Sequence, residues 1–145
     1  MKYYVPLAMV IALHPIFLLL DAYSSIPHLD SAMHLGGGVA LALCLYGMLT
    51  CAVGKGWCPD PGLPLSLILV VALVATGAVC WEIYEWLSDY YLGTKLQPSV
   101  VDTIKDLALG LLGGMLYALY IGMSRRAGKQ GMAESSKCRA LRAEG

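Results

Sequence analysis

Charged residues are scarce in this sequence: Asp, Glu, Lys and Arg make up 14% of its 145 residues, whereas a soluble domain has about 25%. The short motifs of common enzymes are also missing, since no Walker-type phosphate loop, HExxH, GxSxG or GxGxxG occurs. The five cysteines are odd in number and form no CxxC pair. The sequence therefore indicates neither a disulfide framework nor a thiolate zinc site.

Apolar residues are abundant, at 58% of the chain with a mean hydropathy of +0.65. A membrane-spanning helix needs about 20 mostly apolar residues. Stretches of near this length predict an all-α, polytopic transmembrane bundle of about four helices within residues 1–124. The predicted helices cover about residues 3–20, 29–53, 63–87 and 100–123. The first run, which follows Lys2, also resembles a signal peptide, but no A-x-A cleavage site follows it, so a retained helix is favoured.

Acidic and basic residues are divided between two parts of the chain. Residues 1–124 contain four basic and eight acidic residues, whereas residues 125–145 contain six basic and two acidic ones. Because basic residues collect on the cytoplasmic side of membrane proteins, we expect residues 125–145 to form a disordered cytoplasmic tail near anionic lipid. With four spans the N-terminus is then cytoplasmic too. This pattern predicts a multi-pass protein of the plasma or inner membrane, with no role in nucleic-acid binding.

Ionisable residues are concentrated at the helix ends that this topology places on the outer side. Three of the predicted helices each contribute a pair: Asp30 and His34, Glu82 and Glu85, and Asp102 and Asp106. Residues three or four positions apart lie on the same face of a helix. We therefore predict that the three pairs face one another near the extracytoplasmic side of the bundle.

Carboxylates embedded in a bilayer must be stabilised, because an ionised Asp near its middle costs roughly 2.5–3.5 kcal/mol. Oxygen-rich clusters with one imidazole suit divalent cations such as Mg²⁺, Mn²⁺, Zn²⁺ or Fe²⁺. The candidate ligands are therefore Asp30, His34, Glu82, Glu85, Asp102 and Asp106. A proton relay and a structural hydrogen-bond network are the alternative interpretations of the same cluster.

Three functions are compatible with such a cluster. The first is a metal-dependent enzyme acting on a lipid or polyprenyl-type substrate, in which Glu82 or Glu85 would be the general base. The second is a transporter, or an accessory subunit, for protons or metal ions. Four helices are few for a pore, so this function favours a homo-oligomer. The third is a scaffold whose cluster holds the helices together in the bilayer.

Four segments of the sequence resemble the YjdF-type family of bacterial inner-membrane proteins: LDSAMHLGGG, WEIYEW, YLGT and VVDTIKDLALGLLGG. The match covers about residues 29–118, and the positions that fit are Asp30, His34, Trp81, Glu82, Glu85, Asp102, Thr103 and Asp106. VanZ-like membrane proteins are a more distant resemblance. The chain departs from the family pattern in having four predicted helices instead of about six, and KLQPS after the Leu-Gly-Thr segment. The resemblance implies a helical fold and a polar site, not an activity.

Overall fold

The computed structural model describes the backbone of residues 2–143 and the side chains of residues 2–128. Five helices account for the regular structure of the described residues, which confirms the predicted all-α fold. They are α1 (Val5–Leu19), α2 (Ala22–Ser25), α3 (Leu29–Gly54), α4 (Gly62–Leu92) and α5 (Val100–Ala143).

Three of these helices are long and apolar enough to cross a membrane: α3, α4 and the part of α5 up to Gly128. Helix α1 is apolar but shorter, because its 15 residues reach only about 22 Å at 1.5 Å per residue. The hydrocarbon core of a bilayer is about 30 Å thick. Three spans and one shorter apolar helix agree with the prediction of about four helices.

Several helix ends differ from the predicted ones. Helix α1 ends before Asp21, whose left-handed backbone (φ 52°) interrupts the helix, and the next residues form the short helix α2 instead of a plain loop. Helix α4 extends five residues beyond the predicted end at 87 and stops where Gly93 adopts φ 68°. Glycine commonly ends helices in this conformation because it has no Cβ to collide with the preceding turn.

The last helix also continues beyond its predicted end at residue 123. The sequence predicts a disordered tail from residue 125, whereas the backbone of α5 is helical through Ala143. Residues 125–143 include four Ala, four Arg and two Lys, which have high helix propensity. Polarity alone therefore does not prevent this segment from forming a helix.

Helices α3 and α5 make the most extensive contact in the bundle, and glycines allow it. A Cβ atom on Gly38 would overlap the carbonyl oxygen of Gly110, and one on Gly113 would overlap the carbonyl oxygen of Leu35. Small residues let helix backbones approach closely in membranes, where van der Waals packing drives association. The α3–α5 contact is therefore a direct backbone-to-backbone one.

The connections place four helix ends at the same end of the bundle, which we call the polar end. These are the last turns of α1 and α4 and the first turns of α3 and α5. Away from the polar end, the most deeply buried side chains are those of Ala42, Val70 and Val74, with Leu41 and Leu45 packed against them. The chain thus separates an apolar core from the helix ends that carry the ionisable residues.

Candidate functional site

His34 lies at the centre of the ionisable residues at the polar end. Its Nε2 atom is 3.5 Å from Asp30 Oδ1 on the same helix and 3.7 Å from Glu85 Oε1 on α4. Its Nδ1 atom is 3.7 Å from Glu82 Oε1. These separations exceed the usual 2.7–3.2 Å of a well-formed hydrogen bond. One imidazole is therefore surrounded by three carboxylates without being tightly bonded to any of them.

Helix α5 adds two further carboxylates and a lysine to this group. Lys105 Nζ donates to Asp102 Oδ1 and lies 3.5 Å from Asp106 Oδ1. Asp102 and Asp106 are one helical turn apart, which brings both carboxylates to the side that faces α3. Lys105 therefore neutralises Asp102 directly, but it is too far from Asp106 for a strong hydrogen bond.

All six predicted site residues meet in this cluster. Three groups each have ligand-type atoms that lie within 4.8 Å of one another: Asp30, His34 and Glu85; His34, Glu82 and Asp106; and Asp30, Asp102 and Asp106. The groups overlap through shared members and join residues from α3, α4 and α5. We name this set of six residues the polar cluster.

Two oxygen atoms of the polar cluster are buried without a hydrogen-bond partner among the side chains that the structure describes. They are Glu82 Oε1 and Asp106 Oδ1, and their residues are only 6% and 3% exposed. A buried carboxylate oxygen that lacks a partner carries a large desolvation cost. Lys105 Nζ lies 3.5 Å from Asp106 Oδ1 and His34 Nδ1 lies 3.7 Å from Glu82 Oε1, too far for a strong hydrogen bond. A proton, a water molecule or a cation closer to these two oxygens would lower the cost.

Two residues outside the predicted set orient the carboxylates of α4. Trp81 Nε1 donates to Glu85 Oε1 at 2.8 Å, and Gln97 Nε2 donates to both Glu82 Oε2 and the Glu82 carbonyl, at 2.7 and 2.9 Å. The Trp81 contact follows the i, i+4 spacing and could have been read from the sequence. Gln97 lies in the loop before α5, where no sequence pattern marks it.

His14 of α1 forms a second polar contact beside the cluster. Its Nδ1 atom is 2.8 Å from the Tyr23 hydroxyl, and its ring packs edge-on against Trp81. Burial, reinforced by the carboxylates of Asp30 and Glu85, raises the pKa of the Tyr23 phenol above its ordinary value. The neutral hydroxyl can therefore donate to Nδ1. His14 Nε2 is buried and has no partner within the described part of the chain.

Asp89 organises the loop that joins α4 to α5. Its carboxylate accepts hydrogen bonds from Thr94 Oγ1 at 2.6 Å, from the Leu96 amide at 2.8 Å and from the Gln97 amide at 2.9 Å. Charge-assisted hydrogen bonds of this kind are stronger than neutral ones. Asp89 thereby holds Gln97 in position to contact Glu82.

We expect Asp89→Ala to loosen this loop and to destabilise the protein by about 2–4 kcal/mol, because two backbone amides lose a charged acceptor. Trypsin cleavage after Lys95 in detergent measures the change and should become markedly faster. Tyr90→Ala is the matched control, since Tyr90 is adjacent but 70% exposed. Equal cleavage rates in the two variants would show that Asp89 does not restrain the loop.

Two cavities border the polar cluster. The inner cavity has a volume of about 260 Å³ and lies between α1, α3 and α4; it is lined mostly by apolar side chains, with His14, His34 and Glu85 among its polar residues. The outer cavity has a volume of about 420 Å³; polar residues such as Lys95 and Lys105 line it together with Phe17, Leu18, Leu96 and Pro98. Tyr23 and Asp30 line both cavities, so the two spaces adjoin at these residues.

The outer surfaces of the spanning helices are largely apolar. Large apolar side chains are exposed along the spans, among them Ile68, Leu73, Leu116, Leu119 and Met123. Exposed apolar surface of this extent is expected where lipid replaces water. The fold is that of a helical integral membrane protein whose spans contact a lipid bilayer.

Comparison with models of protein families also indicates a membrane protein, and it identifies the family. The family described as "Predicted membrane protein (DUF2238)" matches residues 2–127, and the chain belongs to this family. It is the same family as the YjdF-type proteins that the sequence segments resemble. No curated protein and no solved structure matches the chain.

Proposed function

We propose that the polar cluster binds a divalent metal ion, and that the ion is held first by His34, Glu82 and Asp106. The observation that carries this proposal is the pair of buried carboxylate oxygens that accept no hydrogen bond within the described part of the chain, Glu82 Oε1 and Asp106 Oδ1. A cation would offset the desolvation cost of both carboxylates at once. Asp30, Glu85 and Asp102 border this position and are the remaining candidate ligands.

The spacing of the ligand-type atoms supports a metal over a hydrogen-bond network. Two atoms that are each about 2.1 Å from one ion are about 3.0–4.2 Å apart, depending on the angle between them. The separation of 3.7 Å between His34 Nδ1 and Glu82 Oε1 falls within this range. It is too long for a hydrogen bond of ordinary strength. The hydrogen bond from Gln97 to Glu82 Oε2 would orient the ligand, as partners outside the metal shell commonly do.

A bound ion at this position would give the site the chemistry of a hydrolase. The ion would polarise an ester or phosphoryl oxygen and lower the pKa of a bound water molecule. Glu85 borders the inner cavity and is the better placed of the two candidate general bases, while Glu82 serves as a ligand. We therefore favour a metal-dependent enzyme on a lipid-type substrate, with the polar end on the extracytoplasmic side and both termini in the cytoplasm.

Ion or proton transport has less support as the function of this cluster. A conducting path would have to continue from the cluster towards the opposite end of the bundle. The side chains of Val70, Val74 and Ala42 fill that part of the interface between α3 and α4. Tyr46 and Tyr117 pack against this core, but its three apolar side chains interrupt the succession of polar groups that ion and proton pathways use. A homo-oligomeric pore would need a separate polar path along its own axis.

Elemental analysis of the full chain, purified in detergent and reconstituted with Mn²⁺ or Zn²⁺, tests the proposal. About one ion per chain is expected, and the variant Glu82→Gln, Asp106→Asn should lose at least about nine-tenths of it, because carboxylate ligands hold divalent ions far better than amides. Asp60→Asn is the control, because the Asp60 carboxylate accepts a hydrogen bond from the Gly62 amide at the opposite end of the bundle.

Two results would contradict the proposal. The first is a wild-type protein that retains no metal after reconstitution. The second is a double variant that retains as much metal as Asp60→Asn. If the double variant also loses folded protein while the wild type holds no ion, the cluster is a structural network that joins the helices, and the scaffold function takes the place of the enzyme.

A further inference from the structure

We propose that the two cavities together bind one amphiphile from the bilayer, with a single hydrocarbon chain in the inner cavity and a phosphate-type headgroup at the polar cluster. The inference names a ligand class for the site and rests on the proposed function, because the headgroup requires the cation. Four observations support it: the apolar lining of the inner cavity, the separation of the α1 and α4 backbones, the His14 Nε2 atom without a hydrogen-bond partner in the described part of the chain, and the position of Lys95.

The inner cavity has the lining that a hydrocarbon chain requires. Side chains of Leu7, Val10 and Ile11 on α1 face those of Leu41 and Ala78 across it. Its volume is about 260 Å³. At ~30 Å³ for each chain carbon, taken as roughly the volume of a water molecule, it would hold about eight or nine carbons. Such apolar space is poorly suited to water, because water needs two to four polar partners. A segment of about eight or nine carbons of a hydrocarbon chain therefore fits the cavity.

The separation of α1 from α4 is the basis for a lateral entry route into this cavity. Within the described residues, α1 packs its backbone against α3 and α2, and it does not approach the backbone of α4. Side-chain contacts join α1 to α4, among them those of the His14 ring with Trp81 and Tyr84. A lipid chain can therefore enter sideways between α1 and α4 without separating a backbone contact. This opening favours a membrane lipid over a water-soluble ligand.

Within this mostly apolar cavity, His14 offers one unused polar atom. The residue is 4% exposed, its Nδ1 contacts Tyr23, and its Nε2 has no partner among the described side chains. With the Tyr23 hydroxyl donating to Nδ1, the neutral imidazole carries its proton on Nε2 and can donate it. An oxygen atom that joins the hydrocarbon chain to the headgroup would satisfy this donor.

The headgroup lies where the two cavities adjoin, beside Tyr23 and Asp30. The carboxylates of the polar cluster would repel an anion on their own, so an anionic headgroup needs the bound cation. Divalent ions such as Mg²⁺ are commonly held by one or two carboxylates together with substrate phosphate oxygens. Lys95 lines the outer cavity and adds a positive charge on the far side of the headgroup.

Fluorescence quenching of Trp81 tests the inference directly, because Trp81 lines the inner cavity. In the full chain carrying Trp57→Phe and Trp86→Phe, Trp81 is the remaining tryptophan of the sequence. Dodecyl phosphate brominated along its chain is the probe, added to metal-loaded protein in detergent. The reference is a protein in which Trp86 is the remaining tryptophan. Trp86 is 54% exposed, so it reports quenching by probe that has only partitioned into the surrounding detergent.

The expected result is saturable quenching of Trp81 that unbrominated dodecyl phosphate reverses and inorganic phosphate does not. Val10→Phe should weaken binding about tenfold or more, because the larger ring would occupy part of the cavity that the hydrocarbon chain needs. Ile11→Phe is a second variant of this kind, because Ile11 also lines the cavity. Since Ile11 is 54% exposed, a larger side chain there should disturb folding less than one at Val10. Met9→Phe, on the exposed side of α1, should leave binding unchanged.

Metal dependence separates this inference from the proposed function. Removing the ion, or introducing Glu82→Gln with Asp106→Asn, should reduce the affinity for dodecyl phosphate to that for dodecanol. A protein that binds stoichiometric metal but shows only linear quenching would overturn the amphiphile inference alone. Tighter binding of dodecyltrimethylammonium than of dodecyl phosphate, or equal affinities in Val10→Phe and Met9→Phe, would also overturn it. An absence of bound metal would instead overturn the proposed function.

Discussion

Gly38→Ala is expected to destabilise the bundle by about 3 kcal/mol or more and to abolish most of the folded protein. The added Cβ would overlap the backbone carbonyl of Gly110, and a backbone atom cannot move aside as the end of a flexible side chain can. Overpacking of a well-packed interface typically costs 1–3 kcal/mol and more where the backbone is rigid. Thermal unfolding and the monodisperse yield in detergent measure the effect.

Gly36→Ala is the matched control on the same helix. A Cβ at Gly36 would meet nothing within 4 Å, so the substitution should be neutral or stabilise α3 by up to about 1 kcal/mol through the higher helix propensity of alanine. If the two variants unfold at the same temperature, the close contact between α3 and α5 is not the interaction that holds the bundle together.

His34→Asn is expected to have the largest effect on the polar cluster. Removing the imidazole takes away one proposed metal ligand and the group that contacts carboxylates on both α3 and α4. We expect metal affinity to fall about 100-fold or more, given that even partners outside the ligand shell are worth 10–100-fold. Titration of Mn²⁺ into the metal-free protein, followed by electron paramagnetic resonance, gives the affinity.

His28→Asn serves as the control for this variant. His28 is exposed at the start of α3 and adopts φ 62°, a conformation that asparagine tolerates better than most residues. Metal affinity should therefore match that of the wild type. A His34→Asn protein that keeps wild-type affinity would show that the imidazole is not a ligand, and the ion would then have to be held by carboxylates alone.

The helix contact and the polar cluster are parts of one arrangement. His34 precedes Gly38 by one helical turn on α3, and Asp106 precedes Gly110 by one turn on α5. The two glycines are in direct backbone contact, so the residues one turn above them are brought close together. The site therefore depends on the glycines, and partial unfolding of the α3–α5 contact should lower metal affinity before helix content is lost.

The general character of this protein follows from its sequence. The apolar runs are too long and too weakly charged for a soluble domain, which determines an all-helical membrane protein. The spacing of Asp30 with His34, and of Asp102 with Asp106, determines that each pair lies on one helix face, because an α-helix repeats every 3.6 residues. Along a single helix, such periodicity is a local property that needs no knowledge of neighbouring elements.

The partners of these residues were decided by tertiary structure. Three kinds of contact join positions on different helices or loops. They are the approach of Glu82 to His34, the hydrogen bond from Gln97 to Glu82, and the pairing of His14 with Tyr23. Helix rotation and close approach set these contacts, and both depend on where glycine permits backbones to meet. The cavities likewise exist only between helices. No periodicity within one segment contains that information, because it arises from how separate segments pack.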